Sequence, residues 1–138
     1  MMPNPLPRTP LCATTRAVAD PDITLAALKE RVVAFCEARD WDQFHGPKDL
    51  AIGIVTEASE LLDLFRFQSD DQIAALRADP AKRARVEEEL ADVLFFVVRF
   101  AERWGIDLAT AFDAKMARNA TKYPVEKSRG SNRKYDEL

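Results

Sequence analysis

The sequence predicts an all-α protein, a four-helix bundle, on three observations. Apolar residues recur three and four positions apart in four long segments, which is the spacing of a helix face. No segment alternates polar and apolar residues as a half-buried strand does, and the chain carries only four glycines. One run, "VLFFVV" at 93–98, has no polar side, so the helix that contains it needs cover all round. A bundle made by one chain covers one face, so a second chain is expected on the other.

The elements follow in order. Residues 1–21 hold Pro3, Pro5, Pro7, Pro10 and Pro21 with little periodicity, and read as a flexible proline-rich tail. A first helix is predicted over 23–39, with Leu25, Leu28, Val32 and Phe35 on one face. "DWDQFHGPKD" breaks that pattern, and Gly46-Pro47 opens a second helix over 47–66, with proline at its first position. "QSDDQIAALRAD" is a connection with room for a short helix. Asp79-Pro80 supplies an N-cap and a first-turn proline for a third helix, which runs to 104 and stops at Gly105. Asp107 caps a fourth helix that ends at Tyr123, before Pro124. Residues 22–124 thus form the helical domain, and 125–138 a polar tail.

With 138 residues, 47% of them hydrophobic and 31% charged, the chain suits one soluble globular domain. A net charge of −3 argues against a protein that binds nucleic acid without sequence preference, and no specific nucleic-acid motif appears. No apolar run approaches the ~18 residues of a membrane span, and the N-terminus lacks the apolar core of a signal peptide. Cys12 and Cys36 have neither metal nor redox spacing, which fits a reduced, cytoplasmic setting.

The second helix poses a question of charge. In "IVTEASELLDLF" (54–65), at about 100° per residue, Glu57 falls between Leu50 and Leu64 inside the apolar arc, with Glu60 at its edge. Burying an ionised carboxylate costs several kcal/mol or more without compensation, on the order of the whole stability of a small domain. The third helix repeats the arrangement in "EEELADVLFF". Glu89 lies between Phe96 and Phe100, with Asp92 on the same side of it as Glu60 is of Glu57. If the two faces meet, four carboxylates converge. Each pair on its own also fits a solvated helix edge tied to Arg85, Arg99 or Arg103. Converging, they call for a hard divalent cation, Mg²⁺ with Mn²⁺ as a substitute. A di-iron site of the ferritin type needs Glu-x-x-His on two helices, whereas His45 is the only histidine.

On the fourth helix Lys115, Asn119 and Lys122 share a face, with Arg118 near its edge. Such a face suits a polyphosphate opposite a metal, and equally an ordinary solvated surface. Trp41, Phe44 and His45 lie in the first inter-helix segment, where aromatic rings either stack a base or close a core.

Together, "ARDWDQFHGPKDLAIGIVTEASELLDLFRF", "EEELADVLFFVVRFA", "KMARNATKYP" and "SNRKYDEL" resemble the all-α nucleotide pyrophosphohydrolases of the MazG-like superfamily. Within it they are most similar to the dCTP pyrophosphatase branch, over about residues 25–138. The superfamily signature, Glu-x-x-Glu on one helix and Glu-x-x-Asp on the next, falls on Glu57, Glu60, Glu89 and Asp92. The resemblance implies a Mg²⁺-dependent enzyme that hydrolyses a dNTP, dCTP or a modified dCTP, to the monophosphate and pyrophosphate, in nucleotide-pool sanitation. It implies homo-oligomers, a dimer or a dimer of dimers. It assigns metal binding and catalysis to the four carboxylates, with Glu57 or Glu60 as candidate base. The nucleotide pocket falls on Trp41, Phe44, His45, Phe67 and Phe96, and the phosphate contacts on Lys115, Arg118, Asn119 and Lys122. Val32, Phe67 and Phe96 stand where the animal branch is expected to carry histidine, tryptophan and tyrosine. Two alternatives stay open: the same chemistry on dUTP or a broad set of dNTPs, and a non-catalytic helical scaffold.

Overall fold

The computed structural model describes residues 19–137, so the predicted tail lies outside the described residues except for its last three positions. Those residues are helical with no strand among them. A 3₁₀ turn at Asp20–Asp22 precedes helix α1 (Leu25–Glu37), which Thr24 caps by accepting from Ala27 N at 3.1 Å. The helix is two residues shorter at each end than predicted. At its start the Thr24 cap takes the entry position, and at its end the chain folds into turns through Asp40, whose φ is +53°. Aspartate tolerates that left-handed conformation better than most residues. Here the Gln43 amide fixes it by donating to both its backbone and its side-chain oxygen.

After a 3₁₀ turn at Asp42–Phe44, helix α2 (Pro47–Asp63) opens at Pro47 as predicted. It ends three residues early, because the chain turns tightly at 64–67 and Phe67 sits at φ +63°. The following connection holds a helix, α3 (Asp70–Ala78), started by a reciprocal capping box between Ser69 and Gln72. Asp79 then ends α3 and caps α4 (Pro80–Arg103) by accepting from Ala81 N and Lys82 N. Gly105, at φ +61°, stops α4 in a conformation that costs glycine little. Asp107 caps α5 (Leu108–Lys122) through Thr110 N. The predicted polar tail contains one further turn of helix, α6 (Val125–Ser128), and a 3₁₀ turn at Tyr135–Glu137.

The packing centres on α4. Its main partner is α2, with α1 and α3 alongside. Cys36, Leu50, Val98 and Ala101 are buried where α1, α2 and α4 meet. The bundle predicted from four helices is not closed within one chain. Helix α5 packs only lightly on the rest, and its Phe112 and Met116 are 64% and 48% exposed. On α4, Leu94 of the all-apolar run and Leu90 just before it remain exposed too.

Candidate functional site

The contact between α2 and α4 decides where the carboxylates go. Gly53 faces Phe96 so closely that a Cβ there would lie 2.4 Å from the ring. The missing side chain lets the helices approach at this level. One turn further along α2 comes Glu57, and one turn back along α4 comes Asp92. Glu57, Glu60 and Glu89 each bring a carboxylate oxygen within 4.8 Å of the others. Asp92 is not part of that triad, yet it is close enough to act on Glu57. Burial raises the Glu57 pKa above its ordinary value, and repulsion from Glu60, Asp92 and Glu89 adds to it.

The alternative in which arginines neutralise these acids is not what the structure contains. Among the described residues none of the four takes part in an ion pair. Arg99 and Arg103 turn instead to Asp42, and Arg99 also to Glu102. Three converging carboxylates with only oxygen donors, and no ion pair among the described residues, fit a hard divalent cation.

Two cavities border these acids. One, of about 520 Å³, is lined by Val32, Phe35, Trp41, Phe95 and Phe96, with Asp92 at the cluster end and Arg31 on its rim. Trp41 meets Phe35 edge-on at 5.6 Å, and Phe95 meets Phe96 at 5.4 Å, so the walls are rings set at steep angles. The other cavity, of about 560 Å³, is lined by Glu60 and Asp63 of α2 and by Lys82, Arg85 and Glu89 of α4. Neither Lys82 nor Arg85 has a carboxylate partner among the described residues.

The predicted pocket residues therefore separate. Trp41 and Phe96 line the aromatic cavity. His45 stands behind Trp41, ring centroids 5.9 Å apart, and is not part of the lining. Phe44 is exposed, and Phe67 is 90% exposed with the Arg66 guanidinium over its ring. Lys115, Arg118, Asn119 and Lys122 sit on α5 and line neither cavity; Lys122 lies over the Tyr135 ring. Sequence reasoning missed Lys82 and Arg31, and took Arg85 only as an ion-pair partner of the acids. The one signal for them is position: Arg85 and Lys82 precede Glu89 by four and seven residues and so share its helix face.

The chain matches the MazG-like family over residues 52–138. It is 41% identical over 118 residues to dCTP pyrophosphatase 1 of Rattus norvegicus, covering 86% of this chain and 69% of the relative. Against dCTP pyrophosphatase 1 of Homo sapiens the identity is 39% over the same shares. A crystal structure of a pyrophosphatase from Archaeoglobus fulgidus DSM 4304 is similar with a TM-score of 0.67 and 33% identity, covering 72% of this chain and 92% of that one. The paired acids on α2 and α4 lie inside the matched region, and the chain belongs to the MazG-like family.

Proposed function

We propose that this protein is a nucleoside triphosphate pyrophosphohydrolase that converts a dNTP, dCTP among them, to the monophosphate and pyrophosphate. The observation that carries the reading is an acidic cluster without ion pairs that borders an aromatic cavity through Asp92 and, through Glu60 and Glu89, a second cavity that also holds Lys82 and Arg85. A nucleoside triphosphate has the matching order: a flat apolar base, a reacting phosphate chain and a polyanionic end. The base enters beside Trp41 and Phe96, the α–β bridge lies at the carboxylates, and the terminal phosphates face Lys82 and Arg85. Guanidinium and ammonium groups there stabilise charge as pyrophosphate departs.

Glu57, Glu60 and Glu89, with Asp92 completing the set, would hold Mg²⁺, or Mn²⁺ in its place. Such an ion would supply charge neutralisation at the phosphates and a lower pKa for coordinated water. A carboxylate of the set that does not bind the ion directly, Glu57 or Glu60, would take the proton of the attacking water. The aromatic cavity has few polar groups on its walls, Val32 and Phe96 among the apolar ones, and this favours a broad dNTP range over strict choice of cytosine.

The working unit is a homo-oligomer, a dimer or a dimer of dimers. The exposed apolar residues of α4 and α5 support that, and a neighbouring copy's α5 then brings Lys115, Arg118, Asn119 and Lys122 to the phosphates. The role is nucleotide-pool sanitation in the cytoplasm; no helix among the described residues is long and apolar enough to cross a membrane. Pyrophosphate release measured across dCTP, dUTP, dTTP and dATP with Mg²⁺ tests the proposal. Release from none of them overturns it and leaves the scaffold alternative.

A further inference from the structure

Arg99 is 1% exposed, the most deeply buried charge among the described residues. A buried guanidinium is tolerable only when its donors are satisfied and its charge is balanced. Here all three nitrogens are used. Nε donates to His45 Nδ1 at 3.0 Å, one terminal nitrogen donates to Glu102 at 2.6 Å, and the other pairs with Asp42. Two of these partners, Asp42 and His45, belong to the loop between α1 and α2, and that loop carries Trp41.

Arginine keeps its protons in proteins and offers no acceptor. The atom that receives its Nε–H must therefore present a lone pair, which fixes Nδ1 of His45 as the unprotonated nitrogen. The ring proton is then on Nε2. We propose that Arg99 is a positioning residue for the nucleotide pocket, locking His45 as the neutral Nε2–H tautomer and tying the Trp41 loop to α4. The inference rests on the assignment of the Trp41 cavity to the base.

The geometry gives this tie a consequence at the reaction centre. Asp92, Phe95, Phe96 and Arg99 are spaced i, i+3, i+4 and i+7 on α4, so one helix face carries a carboxylate, a cavity wall and the loop anchor. From Asp92 to Arg99 is roughly 10 Å along the axis. Arg99 thereby sets how far the stacking tryptophan stands from the carboxylates. The force path is short: Arg99 holds His45, His45 meets the edge of Trp41, and Trp41 closes the cavity.

The second consequence is chemical. With Nδ1 occupied and Nε2 protonated, His45 has no free lone pair and cannot act as general base. The charges that face it agree with a neutral ring. Burial and the Arg99 guanidinium lower its pKa, Arg103 adds to this, and Asp42 and Asp49 oppose it.

Because His45 is the only histidine in the chain, its imidazole nitrogens can be read without ambiguity in uniformly ¹⁵N-labelled protein. Long-range ¹H–¹⁵N spectra of the wild type should show a protonated Nε2 and an unprotonated Nδ1 at pH values above 6.5, where free histidine is also neutral. A ring protonated on Nδ1, or the tautomer mixture of a free imidazole, overturns the proposal. This readout needs no nucleotide, so its failure is separate from that of the metal reading, which Glu57→Gln tests. In Arg99→Lys and in the gentler Asp42→Asn, KM for dCTP should rise by roughly tenfold, the loss of one charge-assisted hydrogen bond, with kcat within about twofold. A merely structural Arg99 would lower the melting temperature of both variants and leave KM and the tautomer unchanged, and that result also overturns it.

Discussion

Phe96 lies across Gly53, and the pair sets how closely α2 and α4 approach at the level of the carboxylates. In most exposed helix interiors Gly→Ala stabilises by up to about 1 kcal/mol. Here an added methyl would meet the ring, which is itself held edge-on against Phe95, at 2.4 Å. Gly53→Ala should therefore cost about 1–3 kcal/mol, the usual penalty for overpacking. The ring's free direction is into the aromatic cavity, so KM for dCTP should rise as well. Denaturant unfolding and steady-state kinetics check both, and a stabilised variant with normal KM would mean the helices are not in this contact.

Glu57→Gln and Asp92→Asn should each lower kcat by about 100-fold or more, with helical circular dichroism intact. Stability should move the other way. The Glu57 pKa is raised in the fold, so its ionised form opposes folding. That opposition is absent below the unfolded value of 4.5 and develops as pH rises through the folded one. Without metal, Glu57→Gln should melt above wild type at pH 7 and level with it near pH 4. Millimolar Mg²⁺ should raise the wild-type melting temperature and leave the variant's unchanged.

Much of this site is legible in the sequence. The i, i+3 acids inside apolar arcs announce their own convergence, and Asp79-Pro80 and Gly105 mark the ends of α4 because their roles are set by local backbone chemistry. What stays hidden depends on the third dimension. Arg99 has the same sequence context as a solvated arginine, and only the return of the Trp41 loop onto α4 buries it. Lys82 and Arg85 resemble ordinary basic residues near a helix start until α2 brings Glu60 to the same cavity. Phe67 reads as a pocket aromatic, but a left-handed backbone turns the chain there and leaves the ring exposed. The closure of the bundle is less legible, since amphipathic periodicity shows that α5 has an apolar face and not which chain covers it.

That face leads to a prediction about assembly. Light scattering at micromolar concentration should report a dimer or a tetramer. Phe112→Glu together with Met116→Glu should shift the mass downward and, on the proposal that a neighbouring copy's α5 cations reach the phosphates, reduce hydrolysis. An active, monodisperse wild-type monomer would contradict this.

Trp41 is 37% exposed and borders the aromatic cavity, so its truncation should affect binding before folding. A fully buried tryptophan cut to alanine costs roughly 3–5 kcal/mol. Trp41→Ala should lose less than that and raise KM for every dNTP it accepts, with the stacking share equivalent to about 0.5–1.5 kcal/mol. The measurement is kcat/KM for dCTP, dUTP, dTTP and dATP in both proteins. If the variant unfolds easily yet keeps wild-type KM where folded, the tryptophan belongs to the core.

The last prediction concerns acid stability and the single histidine. Burial first, and then the Arg99 guanidinium, lower the His45 pKa below its ordinary 6.5, while Asp42 and Asp49 pull the other way and Arg103 assists. A histidine with a depressed folded pKa binds protons more readily in the unfolded chain. Above 6.5 both states leave it neutral, and it contributes no pH dependence. As pH falls below that value the unfolded state takes up the proton first, so stability declines until the folded pKa is reached and levels off beneath it. His45→Gln removes the titration but keeps an acceptor for Arg99. Thermal melts from pH 8 down to about 5 should therefore show the wild type losing stability below 6.5 with a steeper slope than His45→Gln, whose remaining slope belongs to the carboxylates. Parallel curves for the two proteins would mean that His45 titrates alike in the folded and unfolded chain, and the contact with Arg99 would then not hold in solution.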